Sequence, residues 1–367
     1  MHDTQFMDRA FALAVRGIGC VEPNPPVGCV IIRDGEIVGE GFHERFGGAH
    51  AEANALLAAG QRAAGATAYV TLEPCCHRGK TPPCTQALIA AGVKRVVAAV
   101  QDPFPQVSGQ GIAALEAAGI DCDVGVCAAE ANWLLAPYRK LITTGRPWVI
   151  AKWAMTLDGK LATRSGDSKW ISSEASRGVV HQLRGRVDAI IVGSGTAHAD
   201  NPLLTARTAN PNEVRRIATR IVVDSAASLS PESRLIQTAR DVPVLVAASN
   251  EAPAAAVQRL TDGGAELFCC SGDTHAARIE SLLQELGRRR MTNVLVEGGS
   301  HLLGTLFDLR AIDEVHVFVA PKLAGGATAA SPVAGLGIER MSTALGLADI
   351  SIEELEGDVH IHGRIAR

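Results

Sequence analysis

His50, Glu52, Cys75 and Cys84 are the residues whose types and spacing add up most clearly to chemistry. His50-Ala51-Glu52 opens an Ala/Leu-rich helical stretch, and Pro74-Cys75 with Cys84 surrounds the start of another. One imidazole and two thiolates suit Zn2+, and three protein ligands are the number a catalytic zinc takes, its fourth position staying open to water. Glu52 then remains as an unligated carboxylate. A water held by zinc ionises near neutrality instead of near 15.7, and a neighbouring carboxylate can carry its proton to a departing amine. The order H-x-E followed by P-C is that of zinc-dependent nucleobase deamination, although eight residues, CHRGKTPP, separate the two cysteines here instead of two. Cys76 and His77 compete as ligands. Because adjacent residues rarely aim two side chains at one ion, Cys76 is expected to be a neighbour of the site and Cys75 the ligand.

These residues need a scaffold. Phe6, Ala10, Leu13 and Ala14 share one helical face, which Pro23 to Pro26 forbid from continuing. Val27 to Ile32 and Glu36 to Gly41 flank Asp34-Gly35 and read as a hairpin. The helix opened by His50 stops at Gly60. Strand, helix and strand follow at Thr67 to Leu72, Thr85 to Ala91 and Val93 to Val100, then a helix at Ile112 to Ala118 and a strand at Asp121 to Val126. Strands alternating with helices indicate an α/β layered sandwich. A helix over Ala128 to Ile142, kinked or broken at Pro137, ends in the polar turn Thr143 to Pro147, which places a domain boundary between residues 145 and 146. Strands at Trp148 to Ala154, Val187 to Val192, Arg220 to Val223, Val244 to Ala247 and Asn293 to Val296 form a second α/β domain, 146–367, after the first, 1–145.

Length and composition agree with this division. A chain of 367 residues exceeds the roughly 250 to 300 at which one core stops growing. With 47% hydrophobic residues, 20% charged residues and a net charge of -4, it reads as an ordinary globular protein without a basic stripe for nucleic acid. No apolar run has the length of a signal peptide or membrane span. A cytoplasmic protein with no nucleic-acid or membrane partner is expected, as is a homo-oligomer. Nine cysteines are too few and too odd in number for a disulfide scaffold, so reduced thiols are expected. Cys20, Cys29, Cys122, Cys127, Cys269 and Cys270 lie mostly among apolar residues and read as small core hydrophobes.

The second domain lacks a G-x-G-x-x-G fingerprint. It carries two Gly-rich strand ends, Val192-Gly193-Ser194-Gly195-Thr196 and Val296-Glu297-Gly298-Gly299-Ser300, the latter before an apolar helix near Leu302. Backbone N–H groups at such a helix start suit a phosphate, and simple turns are the competing reading. Lys152, on the strand before Asp158-Gly159, either orients a sugar or packs its stem.

The segments PNPPVGCVI, HAEANAL, TLEPCCHRGKTPPC and QDPFPQVSGQG, followed by KWAMTLDGKLAT, SKWIS, ADNPLLTAR, VVDS and VEGGSHLLG, resemble the bifunctional deaminase-reductases of riboflavin biosynthesis, the bacterial RibD type, over nearly the whole chain. The resemblance implies an N-terminal cytidine-deaminase-like three-layer sandwich and a C-terminal dihydrofolate-reductase-like α/β domain. It implies Zn2+ on His50, Cys75 and Cys84, Glu52 as acid/base, and NADPH as reductant. The first domain would deaminate 2,5-diamino-6-(5-phosphoribosylamino)pyrimidin-4-one, a small phosphorylated pyrimidine, and the second would reduce its ribosyl chain to ribityl. Asn24, His43 and Lys80 would line the deaminase pocket. Ser168, Arg184, Leu204, Arg207 and Glu297 would hold the reductase substrate, with Arg184 and Arg207 as phosphate clamps. Ala154, Trp170, Thr196, Asp200, Ser225, Gly298, Gly299, Ser300, His301, Leu302, Leu303 and Gly304 would contact NADPH. Cys76, where Ser is more usual, and Pro26 depart from the commonest pattern. A deaminase whose second half only binds nucleotide or mediates assembly is a competing reading, and a structural zinc or RNA-binding module is another. The three-ligand count, Glu52 and the acidic net charge weigh against the module.

Overall fold

Asp34 and Gly35, at φ 52° and 84°, turn the chain between β1 (Gly28–Arg33) and β2 (Glu36–Phe42). The computed structural model describes residues 3–79, 82–208, 210 and 213–366, and the chain forms two units, Met1–Gly145 and Arg146–Arg367. In the first unit the hairpin is joined by α1 (Asp3–Ala14), α2 (Ala51–Ala59), β3 (Thr67–Val70), α3 (Cys84–Ala90), β4 (Arg95–Ala98), α4 (Gln110–Ala117), β5 (Asp121–Val124), α5 (Ala128–Leu134) and α6 (Ala136–Thr144). The sheet order is β2-β1-β3-β4-β5, antiparallel across β1 and parallel from β3 to β5. One face packs Ala51, Ala55, Leu88 and Leu115 against Cys29, Ile31 and Val70, and the other packs Phe6, Met7, Ala10 and Ala131 against Val30 and Val97. These are the two outer layers of a three-layer sandwich.

The helix expected over Ala128 to Ile142 is in fact two. The chain turns at Leu135, and Pro137 sits in the first turn of α6, where its missing N–H deprives no helical bond. Of the cysteines expected in cores, Cys29 and Cys270 are buried, Cys20, Cys122 and Cys127 are half-buried, and Cys269 is exposed. Neighbouring residues of a strand face opposite sides, so Cys269 and Cys270 cannot both enter one core. All nine thiols are free.

The second unit runs β6 (Trp148–Thr156), α7 (Glu174–Arg184), β7 (Ala189–Gly193), α8 (Ser194–Asp200), β8 (Thr219–Val223), α9 (Arg234–Gln237), β9 (Val244–Ser249), α10 (Ala254–Asp262), β10 (Glu266–Cys270), α11 (His275–Arg288), β11 (Asn293–Glu297), α12 (Ser300–Asp308), β12 (Glu314–Ala320), β13 (Leu347–Leu355) and β14 (Asp358–Ile365). Its nine strands are ordered β10-β9-β8-β7-β11-β6-β12-β14-β13, parallel through β12 and antiparallel in the last three. Helices α11 and α12 cover one face, with Leu282, Leu286, Leu303 and Leu306 over Val149, Ile191 and Val296. Residues of α7 to α10, including Leu183, Leu235 and Leu260, cover the other over Ile150, Ile190 and Leu295. No helix among the described residues is long and apolar enough to cross a membrane.

Close helix–sheet approach is what sets the height of α2. A Cβ on Gly41 would lie 2.4 Å from the Ala55 nitrogen and 2.5 Å from the Ala51 oxygen, so only glycine lets β2 meet the Ala-rich face of α2. Gly41→Ala is therefore expected to cost about 1 to 3 kcal/mol through overpacking and to displace His50. By contrast, a Cβ on Gly178 in α7 meets nothing within 4 Å, so Gly178→Ala is expected to stabilise by up to about 1 kcal/mol. Denaturant unfolding of both variants, with zinc content measured alongside, checks the pair.

Candidate active sites

In the first unit, three chain segments deliver donor atoms to one place. His50 precedes α2 in extended conformation and Cys84 is the first residue of α3, while Cys75 follows β3. Cys75 Sγ lies 3.5 Å and Cys84 Sγ 3.3 Å from His50 Nδ1, and the three ligand atoms fall within 4.8 Å of one another. Zinc bonds of about 2.3 Å to sulfur and 2.0 Å to nitrogen at a tetrahedral angle leave about 3.5 Å between the donors, so the set fits the ion. Cys76 and His77 stand outside it. Cys76 Sγ points to the Gln106 carbonyl at 3.6 Å, and His77 packs beside Phe104, the ring centroids 5.8 Å apart.

Glu52, in the first turn of α2, is 3% exposed. Burial, followed by the negative charge of Cys75, pushes its carboxyl up to about 7. At neutral pH such a group both accepts and gives a proton. The two thiols share a proton through a Cys84-to-Cys75 hydrogen bond, which lowers Cys75 and raises Cys84. The Cys84 backbone N–H also points at Cys75 Sγ, 3.4 Å away.

The pocket wall is built from Asn24, in the loop before β1, and His43, which directly follows β2. His43 is pinned: one ring nitrogen, Nδ1, donates to the Ala49 carbonyl at 2.9 Å, so Nε2 accepts from Asn24 Nδ2 at 3.1 Å. Burial keeps the ring neutral, lowering its pKa. The bond uses one amide hydrogen of Asn24 and fixes its plane, leaving a donor and an acceptor for a heterocycle edge. Lys80 lies outside the described residues.

Sequence reasoning passed over Glu73. Its carboxylate is 3% exposed and accepts from four backbone N–H groups, those of Asp102 and Gly109 on Oε2 (3.1 and 2.9 Å) and of Gly111 and Ile112 on Oε1 (2.8 and 3.1 Å). It ties the loop after β4 to the residues before Cys75. The only signal in the sequence is an acidic residue set in an otherwise buried strand end, Thr71-Leu72-Glu73-Pro74.

In the second unit, β7 and β11 are parallel neighbours whose onward chains leave in opposite directions, β7 toward β8 and β11 across β6 to β12. Ligands of open α/β sheets bind at such divergence points, outside the carboxyl ends of the strands. Both Gly-rich turns sit there. Gly298 and Gly299 take φ of 63° and 80°, and a Cβ on Gly299 would meet Thr196 Oγ1 at 3.4 Å, whereas a Cβ on Gly193 or Gly195 would meet nothing within 4 Å. This open, backbone-lined cleft at the start of α12 fits the pyrophosphate of a dinucleotide. Ser300 Oγ is spent on the Ser331 carbonyl at 2.6 Å, and His301 is exposed. Leu302 and Leu303 belong to the core at 4% and 0% exposure, and Gly304 packs against the Ala334 backbone. Their packing holds α12 in place, so any contact these three make with a cofactor is through their backbone.

Arg184, expected as a phosphate clamp, is paired with Glu297. Its Nε and Nη2 grip both oxygens of Glu297 at 2.6 and 2.8 Å, and Nη1 donates to the Thr205 carbonyl at 3.3 Å. Burial opposes both charges, but the pairing wins, so Arg184 is raised and Glu297 lowered. Two edges of the Arg184 fork are thus taken up within the protein, whereas Arg207 is exposed, its backbone N–H donating to His181 Nδ1 at 3.3 Å. Lys152 is half-buried beside this pair, and burial lowers its pKa. Leu204, at φ 52°, is 3% exposed and reaches any ligand through its backbone. Ser168 and Trp170 ride a loop whose carbonyls at Trp170 and Ile171 accept from Lys322 Nζ at 2.7 and 2.9 Å, and the Arg177 guanidinium lies over the Trp170 ring at 4.8 Å. Ala154 is half-buried in the second half of β6, Asp200 ends α8, and Ser225 follows β8 with its carbonyl holding Ser249.

Residues 1–100 match the family described as cytidine and deoxycytidylate deaminase zinc-binding region, and residues 147–361 match the RibD C-terminal domain. Riboflavin biosynthesis protein RibD of Actinobacillus pleuropneumoniae is 41% identical over 98% of this chain and 94% of its own length. The protein of the same name from Escherichia coli K12 is 40% identical over 99% of both chains. Among solved structures, Acinetobacter baumannii RibD superposes with a TM-score of 0.87 at 36% identity, covering 100% of this chain and 99% of that one. A deaminase/reductase from Thermotoga maritima gives 0.85 at 36% identity, covering 99% of each. The chain thus belongs to the RibD family, the bifunctional enzymes of riboflavin biosynthesis that join a zinc-dependent deaminase to an NADPH-dependent reductase.

Proposed function

We propose that Met1–Gly145 deaminates 2,5-diamino-6-(5-phosphoribosylamino)pyrimidin-4-one and that Arg146–Arg367 then reduces the ribosyl chain of the product to ribityl. The protein would act in the cytoplasm on this small phosphorylated pyrimidine, as a homo-oligomer. The observation that carries the first step is the meeting of His50, Cys75 and Cys84 beside the buried Glu52, whose carboxyl burial pushes up to about 7. Zinc held there supplies a water acidic enough to ionise near neutral pH. Glu52 takes a proton as water adds to the carbon bearing the amino group. It gives that proton to the ring nitrogen, then takes the proton of the newly added hydroxyl and gives it to the amine, which leaves as ammonia while the C=O bond forms. Asn24, held by His43, aligns the pyrimidine edge, and Lys80 meets the phosphate.

For the second step, NADPH supplies a hydride when bound. Sugar C1 gains that hydride and the ring oxygen gains a proton, so the chain's main task is to hold C1 in line. Gly298, Gly299 and the α12 start cradle phosphate, with Ala154, Trp170, Thr196, Asp200, Ser225, Ser300 and His301 around the cofactor. The Arg184–Glu297 pair and Lys152 orient the sugar, while Arg207, Ser168 and the Leu204 backbone hold its phosphorylated end.

Glu52→Gln is expected to keep zinc and lose deamination by about 100- to 10,000-fold, whereas Cys75→Ala loses both. Metal analysis and ammonia release measured on the same samples check this; deamination persisting after complete zinc removal would overturn the metal mechanism. Glu297→Gln removes the partner of Arg184 and is expected to slow NADPH oxidation by about 10- to 100-fold with ammonia release unchanged. Following the two products separately with the diaminopyrimidine phosphate tests the assignment of one step to each unit.

A further inference from the structure

The second unit carries a histidine-rich stripe that neither proposed reaction uses. Antiparallel pairing sets Glu314 opposite Arg364, His316 opposite His362 and Phe318 opposite His360, so alternation along β12 and β14 places all six side chains on one face. Three of these residues offer donor atoms within 4.8 Å of one another. His316 Nε2 and His362 Nε2 both converge on Glu314 Oε1, at 3.1 and 3.0 Å. Glu314 and His316 are buried, and His362 is half-buried, leaving the cluster an opening.

We propose that Glu314 Oε1, His316 Nε2 and His362 Nε2 form a second metal site, for a divalent transition cation of the Zn2+, Co2+ or Ni2+ class. Ligand bonds of about 2.1 Å at a tetrahedral angle need about 3.4 Å between donors, a few tenths of an ångström more than the spacing of both nitrogens from Oε1. Two imidazoles and one carboxylate are a borderline donor set that leaves positions for water. The second carboxylate oxygen is held separately: Trp148 Nε1 donates to Glu314 Oε2 at 3.0 Å, and Arg364 Nε lies 3.7 Å from it. Oε1 is thereby the oxygen presented to the two rings.

The outer partners point the same way. His316 Nδ1 and His360 Nε2 are 3.0 Å apart and share one proton. Without a metal, His316 donates from Nε2 to Glu314, so its Nδ1 accepts from His360 Nε2–H. His360 Nδ1 is then a bare acceptor, buried without a hydrogen bond, and it faces the Glu353 carboxylate 3.9 Å away. Two acceptors facing each other are unfavourable. A cation on His316 Nε2 moves that ring's proton to Nδ1, which donates to His360 Nε2. The His360 proton moves to Nδ1, toward Glu353, and the His362 proton likewise moves to its Nδ1. Each ring keeps one proton and none is released, while the cation meets the Glu314 charge. An outer hydrogen bond that fixes the tautomer of a ligating histidine is what metal sites recruit.

The test uses the full chain with Zn2+ alone as probe, stripped of metal, reloaded and desalted before metal analysis. Wild type is expected to hold two Zn2+ per chain and His362→Ala one. Cys75→Ala is expected to lose the first site and keep the second, and adding His362→Ala removes that too. Co2+ in the Cys75→Ala chain is expected to give visible d–d bands that vanish with His362→Ala, without the sulfur-to-metal charge-transfer band of a thiolate site. A wild-type count that His362→Ala leaves unchanged overturns the proposal, as does an equal count in Cys75→Ala with and without His362→Ala. If Cys75→Ala fails to fold, the wild-type and His362→Ala counts alone decide, and Glu314→Gln must reproduce the loss of one Zn2+.

Discussion

A buried carboxylate has to be satisfied by hydrogen bonds, and the backbone satisfies Glu73 four times over. Losing those bonds would leave a charge stranded in the interior at a cost of several kcal/mol, so the loop from Asp102 to Ile112 cannot leave the end of β3. The loop in turn confines Pro74: a side chain at Gly111 would run into the Pro74 carbonyl, 2.1 Å from where its Cβ would be. Cys75, next in the chain, inherits that fixed position. The donor set then closes only because α2 comes down onto β2 at Gly41 and brings His50 to the same spot. The chemistry at Glu52 rests on two backbone arrangements made by residues that touch neither metal nor substrate.

The second unit solves its problem with charge. Glu297 closes β11 at the divergence of the sheet, where a lone carboxylate would repel a phosphorylated substrate. The Arg184 fork neutralises it, and Lys152 adds the positive balance. Two opposite charges buried together are held rigidly because separating them would strand both. Rigidity is what a hydride transfer needs, since C1 and the cofactor must meet at a set distance.

Local chemistry was the part most legible in the sequence. Asp34-Gly35 announces a hairpin because both residues tolerate positive φ, and Gly60 and Pro137 mark helix limits for equally local reasons. His50, Glu52, Cys75 and Cys84 stand out because few other purposes need those types in that order. What stayed hidden depends on contacts between distant segments. Nothing near Arg184 says that its partner is Glu297, and nothing near Glu73 says that amides from beyond β4 will reach it. Leu302 and Leu303 follow a glycine-rich turn, and only the packing of α12 shows that their side chains turn inward. Cys269 and Cys270 have the same immediate surroundings in sequence, and only the sheet separates their fates.

The order of strands in the larger sheet bears on how the chain is made. β6 opens the second unit but lies between β11 and β12, pairing Trp148 with Asn293 and Ile150 with Glu314. Until those later strands have been synthesised, both edges of β6 lack partners, and loop closure over so long a separation makes the pairing slow. The first unit has no such delay, since β1 to β5 and their helices are all in hand once Gly145 has been made. The deaminase half is therefore expected to fold while its companion is still emerging from the ribosome, with β6 the stretch most exposed to mispairing and chaperone capture in the interval.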